Sequence, residues 1–240
     1  MIHIGTSGWY YRHWYGNFYP MGLKGGALLG FYAKQFRTVE MNNTFYIFPT
    51  KERVLNWLNE TPQDFLFAVK VHRLFTHYLH LRVSSDSIMR FISVIENFGD
   101  KLGPLLFQCH RDLKCNLADL EYLCSNLPPK LLYAFEFRHP SWFTKDTYEI
   151  LSKLQATICI TNQQENELLS STHFPFAYIR LHGPQEVEKY NGCYPDRELQ
   201  YWADSIKTLH RPPKPLFCYF NNDVHGHAIK NAVEIIALLG

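Results

Sequence analysis

The 240-residue sequence has no run of 18 uninterrupted apolar residues and no cluster of lysine and arginine. The first absence argues against a membrane-spanning helix. The second, with a net charge of only +2, removes the broad basic footprint that carries non-specific nucleic-acid binding, so such a partner is permitted but not advertised. The six cysteines (Cys109, Cys115, Cys124, Cys159, Cys193, Cys218) include no C-x-x-C pair. Reduced thiols in a cytoplasmic protein are therefore expected. The opening MIHIGTSG has no basic segment followed by an apolar one, so no secretory leader is expected. No G-x-G-x-x-G follows any apolar run, which argues against a dinucleotide fold. With no linker and no shift in composition, residues 1–240 are expected to form one domain.

Apolar residues and rings are plentiful. Hydrophobic residues make up 46% and charged residues 19%, enough for a sizeable core. Aromatic content is 16%, with 18 Phe and 15 Tyr, and it is concentrated early: seven of the eleven residues from Trp9 to Tyr19 are rings. They follow no helix or strand period.

Short apolar runs recur along the chain, each followed by turn residues. The pattern predicts strands at Ile2–Thr6, Thr38–Asn42, Leu66–His72, Leu105–Gln108, Leu132–Phe137, Thr157–Thr161, Ala177–Leu181 and Leu216–Phe220. Helices are predicted at Lys51–Asn59 capped by Thr50, Ser87–Phe98 after Asp86, Lys145–Leu154 after Thr144, Arg197–Leu209 after Asp196, and His227–Leu239. Strands alternating with helices build parallel βαβ units. Eight of them in this length match a (β/α)8 TIM-type barrel, with a doubly wound open sheet as the alternative.

Side chains on a strand alternate between faces. That parity places Glu40 with Asn42, Lys70 with His72, Glu136 with Arg138, and Arg180 with His182, while Gln108 closes the fourth strand. Their neighbours of opposite parity are apolar, as the helix-covered outside of a barrel requires. The polar set therefore points into the barrel mouth at the C-terminal strand ends, where barrel enzymes hold their sites. A purely structural role is the bland alternative, with Glu40 paired to Lys70 and Glu136 to Arg138 or Arg180. Buried pairs add little net stability, which weakens that alternative.

Lys70, Arg138 and Arg180 against Glu40 and Glu136 leave the mouth positive, which suits an anionic ligand gripped by arginine forks. Asn221, Asn222 and Gly226, in the loop opening the last helix, offer a phosphate cradle. Glu40 and Glu136 are a candidate acid–base pair across the mouth. Because each has a basic neighbour, both favour the ionised form, which makes His182 the better proton donor. A metal is not expected: Glu40, His72, Glu136, His139, His182 and Asp223 are possible ligands, but three basic side chains would repel a cation. The aromatic loop overhangs the same mouth. Trp9, Tyr10 and Trp14 are candidates to stack on a base or sugar, opposed by Trp142 and Phe143, whereas Phe18 and Tyr19 are assigned to the scaffold.

Together GTSGWYYRHWYGNFYP, TVEMNNTFY, Lys70 with Thr76 and His77, LGPLLFQ, FEFRHPSW, RLHG and YFNND-x-x-G-x-A-x-x-NA resemble the YecE-like family, also called domain of unknown function seventy-two. The resemblance spans the chain in order and implies a TIM barrel, but it implies no reaction. It adds His77 and His139 to the candidate ligand-binding residues. The chain departs from the family pattern at Cys109-His110-Arg111, where Gln-x-Pro-Pro is usual, and at Asn162, where an Asp is common. The reading is an enzyme with no cofactor, acting on a phosphate-bearing ligand with a ring or sugar (a nucleotide, a phosphosugar or a nucleic-acid end), with hydrolysis of a phosphodiester or glycosidic bond as the expected reaction. The alternatives are a non-catalytic nucleotide or nucleic-acid binder and a carbohydrate-active barrel.

Overall fold

The computed structural model describes residues 1–162, 174–184 and 190–240. Its eight parallel strands are β1 (Ile2–Thr6), β2 (Thr38–Met41), β3 (Leu66–Lys70), β4 (Leu102–Gln108), β5 (Tyr133–Glu136), β6 (Thr157–Thr161), β7 (Ala177–Leu181) and β8 (Leu216–Phe220). They lie in the order β1-β8-β7-β6-β5-β4-β3-β2 and curl into a nearly closed TIM-type barrel. The open-sheet alternative is thereby excluded.

Closure is thinnest between β1 and β2. There the strands meet through a bridge between Ser7 and Glu40, and the Gly8 amide donates to the Glu40 carbonyl at 2.7 Å. Gly5 allows the approach, since a Cβ there would stand 2.3 Å from the Thr38 carbonyl oxygen. The gap is spanned by one hydroxyl: Tyr32 accepts from the Thr6 amide at 3.0 Å and donates to the Thr38 carbonyl at 3.1 Å.

Eight helices are described: α1 (Ala27–Gln35), α2 (Asn43–Tyr46), α3 (Lys51–Asn59), α4 (Ser85–Ile95), α5 (Leu117–Ser125), α6 (Lys145–Lys153), α7 (Asp196–Leu209) and α8 (His227–Leu239). Thr50 and Thr144 cap α3 and α6 as expected. The helix expected from Ser87 instead starts at Ser85, with Ser84 as its cap. A further turn continues to Lys101 across a kink at Gly99, whose φ of 55° takes it out of the helical region. Pro195, not Asp196, precedes α7. Helix α1 carries no side-chain cap, because Gly26 precedes it. Helix α5 is capped by Asn116, which accepts from the Ala118 and Asp119 amides, a signal present in the sequence and passed over.

The core divides as strand parity requires. Outward residues such as Val39, Val69, Phe107, Phe135 and Ile179 pack under the helices. Inside, Ala68, Leu106, Ala134, Cys159, Phe176, Tyr178, Phe217 and Tyr219 form a separate cluster that fills the barrel below the mouth. Small residues on β3 and β5 leave room for the tyrosines of β7 and β8. Tyr219 is tied to Thr38, over the intervening β1, by a 2.7 Å hydroxyl contact.

Candidate functional site at the barrel mouth

One pleat above that cluster the interior becomes charged. Arg180, on β7, is fully buried and sits between two carboxylates. Its Nε and Nη2 donate to Glu40 of β2, the latter at 2.7 Å, and its Nη1 donates to Glu136 of β5. Glu40 also accepts from the Ser7 hydroxyl at 2.6 Å and the Tyr178 hydroxyl at 2.7 Å. Glu136 accepts from Gln108 and from Arg138 Nε, each at 2.9 Å. Burial alone would raise the Glu136 pKa, but Arg180, then Arg138 and His182, hold it well below the usual carboxylate range. Burial opposes the charge on Arg138, yet Glu136 and then Tyr190 overcome it and raise its pKa further.

This arrangement corrects two expectations. The Glu40–Lys70 pair does not form, because Glu40 reaches across the barrel to Arg180 instead. Arg180 is not a fork open to a ligand, because both edges of its guanidinium are committed. The positive excess shrinks accordingly, with two carboxylates set against two guanidiniums. Lys70 lies apart, its Nζ 4.0 Å from the Phe45 ring centroid. Burial, then Arg180, brings its pKa down to about 7.

His182 is buried beside this network, with Nε2 3.8 Å from Glu136 Oε1. The Asn221 amide lies 3.1 Å from Nδ1. A neutral ring accepting there would carry its proton on Nε2, the nitrogen on the side of Glu136. The His182 amide donates to Asn162 Oδ1, and Asn162 Nδ2 bonds the Gly183 carbonyl, so Asn162 shapes the end of β7. Cys109, in the other departure, is fully buried, and its thiol pKa is raised by burial.

Other expected site residues lie elsewhere. Trp142 is 1% exposed, stacks on Phe137 at 4.4 Å, and donates to the Leu113 carbonyl at 2.7 Å, so it belongs to the wall and does not oppose Trp9. Trp14 is likewise buried, with its indole N–H 2.7 Å from Asp223 Oδ1. The cradle at the last helix is filled: the Gly226 amide donates to the Asp223 carbonyl, Trp14 lies against Gly226, and the Asp223 carboxylate would repel an anion. Burial pushes the Asp223 pKa up to about 6 against the opposing contacts of Trp14 and His13. Asn222 is buried as a bracket to Gly192 and Asn231. His139 bonds Ser141 and starts a short helical turn. His77 stands at the rim, edge-on to Phe45, and burial lowers its pKa to about 4. Among the described residues no three His, Cys, Asp or Glu side chains converge on a metal position.

Beside the mouth, between the loops after β1 and β2, lies a cleft of about 930 Å³. Trp9, Tyr10, Tyr11, Asn42, Tyr46 and Trp57 line part of it. Trp9 is half-buried against Trp57, while Tyr10 is 60% exposed. Tyr46 and Trp57 went unmarked in the sequence; only their place on α2 and α3, next to the second strand end, signals them.

A family model described as "Protein of unknown function DUF72" matches residues 3–240. The chain belongs to the DUF72 family. Among curated relatives it is 27% identical over 271 residues to UPF0759 protein YunF of Bacillus subtilis, covering all of this chain and 95% of that one. It is 30% identical over 150 residues to UPF0759 protein YecE of Escherichia coli, covering 62% of this chain and 53% of YecE. A solved DUF72 protein from Thermotoga maritima superposes with a TM-score of 0.86 at 30% identity, covering 100% of this chain and 99% of that one. A DUF72 protein from Enterococcus faecalis, at 20% identity and a TM-score of 0.82 over 100% and 95% of the two chains, shares the fold. Among the described residues, no helix is long and apolar enough to cross a membrane.

Proposed function

We propose that this protein is an enzyme whose site is the C-terminal barrel mouth. Its ligand carries a phosphate together with a ring or sugar: a nucleotide, a phosphosugar or a nucleic-acid end. The reaction proposed is hydrolysis. The observation that carries the reading is Arg138, whose Nε serves Glu136 while its buried Nη2 makes no hydrogen bond of good geometry, with Tyr190 as the other polar group beside the guanidinium. An unsatisfied buried donor on a charged group costs free energy that a bound anion would recover. The ring-lined cleft nearby supplies stacking surface, and His182, beside Glu136, is the proton donor in its imidazolium form. A cytoplasmic setting is supported by six free thiols.

The carbohydrate-active alternative loses support. Glu40 and Glu136 are bound to one guanidinium, and a carboxylate so held does not alternate between acid and base. One feature favours the non-catalytic binder instead, namely that neither mouth carboxylate is free to act as a base.

The test is a thermal-shift panel of nucleotides, phosphosugars, neutral sugars and short single strands, followed by product analysis for every hit. A melting shift with phosphate-bearing ligands that is lost in Arg138→Ala, and turnover that is lost in His182→Gln, is the expected result. Shifts with neutral sugars alone would overturn the phosphate reading. Steeply salt-dependent binding without product would favour the binder.

A further inference from the structure

Each arginine at the mouth has a carboxylate. Lys70 has none. Among the described residues no Asp or Glu lies within ion-pairing distance of its ammonium, since Glu40 and Glu136 are taken by Arg180 and Arg138. The side chain ends β3 with 8% of the residue exposed, and Nζ rests 4.0 Å above the Phe45 ring. That ring is held in place: Thr44, its neighbour on α2, donates to both the Met41 and Lys70 carbonyls at 2.9 and 2.7 Å. A lysine needed only to stitch strands together would face a carboxylate. This one is buried near two guanidiniums, and burial and those charges penalise its ammonium more than the Phe45 ring face favours it. Its pKa of about 7 follows from that placement, so about half of the amine is neutral and nucleophilic at neutral pH.

We propose that the Lys70 amine forms a Schiff base with the aldehyde or ketone carbon of a ligand held at the barrel mouth, an open-chain sugar phosphate being the class that fits. The phosphate in that class rests on the reading above; the carbonyl does not. In the addition step the nitrogen lone pair forms a bond to the carbonyl carbon, and the C=O π pair moves to oxygen. One amine proton is lost as that oxygen gains one, giving the carbinolamine. The hydroxyl then leaves as water with the second nitrogen proton, and the lone pair closes the C=N bond. One water is released, and neither an oxidant nor a reductant is required. The protonated imine is an electron sink for cleavage of a C–H or C–C bond beside it, an activity separate from hydrolysis.

The charged and titratable groups facing Lys70 come from several elements: Glu40 from β2, Glu136 and Arg138 at the end of β5, Arg180 from β7, and His77 from the turn after β3. Lys145, 88% exposed on α6 with Nζ 3.6 Å from Glu149 Oε1, is the internal reference for a surface amine.

The full-length protein would be incubated with glyceraldehyde 3-phosphate, or with glyceraldehyde, in the presence of sodium cyanoborohydride, and each reduced adduct located by peptide mass spectrometry. At pH 7, Lys70 is expected to label at least tenfold faster than Lys145, with the ratio falling toward pH 10 as surface amines lose their protons. Lys70→Met should abolish the fast adduct. Because the Lys70-to-Lys145 ratio is read within the native protein, the test holds even if that variant does not fold. Labelling of Lys70 no faster than Lys145 by either probe would overturn the inference. Fast labelling by both probes alike would uphold the amine and remove the phosphate, while fast labelling by the phosphorylated probe alone would uphold both.

Discussion

Two residues along a strand separate two kinds of interior. Ala68 leads to Lys70, Leu106 to Gln108, Ala134 to Glu136 and Tyr178 to Arg180, always on the same inward parity. The lower layer is held by packing, with Tyr178 5.4 Å from Tyr219 and Phe217 stacked on His3 at 4.8 Å. The upper layer is equally buried but held by ion pairs. Apolar packing in the lower layer is favourable without qualification. In the upper layer each charge must first recover its desolvation, which ion pairs in low dielectric often barely do. A barrel selected only for stability would continue the lower layer upward, since ion pairs there add less net stability than packing would.

The sharpest way to break this contrast is to remove its central charge. Arg180→Met should destabilise the protein by about 3–5 kcal/mol, the range for stranding a buried charge, because Glu40 and Glu136 lose their shared partner. Urea denaturation would measure it. Adding Glu40→Gln and Glu136→Gln should restore much of the loss, since the stranded charges disappear with the partner. If Arg180→Met proves neutral, the upper layer is hydrated and the contrast fails.

Lys70 gives the opposite sign. Its folded pKa, about 7, lies below the unfolded value, so between pH 7 and roughly pH 10 the unfolded chain binds more protons than the folded one and stability rises with pH. Below pH 7 the amine is charged in both states and its desolvation is borne in full. Lys70→Met should therefore stabilise the protein, on the order of 4–5 kcal/mol below pH 7 and progressively less toward pH 10. Equal stabilities of variant and parent across that range would mean that the lysine is solvated at the mouth.

How much of this was legible depends on the range of each interaction. Strand parity is local, so the eight strands, though not all their ends, and the inward residues Glu40, Lys70, Gln108, Glu136 and Arg180 could be read directly; His72 was expected among them but lies past the end of β3, against Phe48 and the Tyr46 carbonyl. The partner of Glu40 could not. Reasoning along the chain pairs adjacent strands and chose Lys70 on β3, whereas the barrel's curvature brings β7 across the axis. Trp142 and Trp14 were misassigned for a related reason: a ring's residue type does not say whether it faces a ligand or the wall. Helix α1 was missed because its cap is Gly26, with no side chain to announce it.

Tyr178 joins the two layers, with its ring in the lower one and its hydroxyl 2.7 Å from Glu40 Oε2. Tyr178→Phe preserves the packing and deletes one donor to a buried carboxylate. The expected cost is about 1–3 kcal/mol, less than for Arg180→Met because three other donors remain on Glu40. A cost near zero, read from the same urea curves, would show that the hydroxyl does not couple the layers.

The smallest effect on stability is expected outside both layers, on the loop after β1. Tyr10 is 60% exposed, and nothing in the fold rests on its ring, so Tyr10→Ala should change stability by no more than about 0.5 kcal/mol. Its neighbour Trp14 is 1% exposed and hydrogen-bonded to Asp223, so Trp14→Ala should cost about 3–5 kcal/mol. The two rings lie four residues apart in one aromatic run, yet one is exposed and the other buried. A ligand that stacks in the cleft must lose affinity when Tyr10 is removed, at a stability indistinguishable from the parent protein. Base–aromatic stacking sets the scale of that loss at about 1–3 kcal/mol. If ligand binding survives Tyr10→Ala unchanged, the exposed ring is not a stacking platform and the cleft lies outside the site. The mouth would then have to recognise its ligand through Arg138, His182 and Lys70 alone.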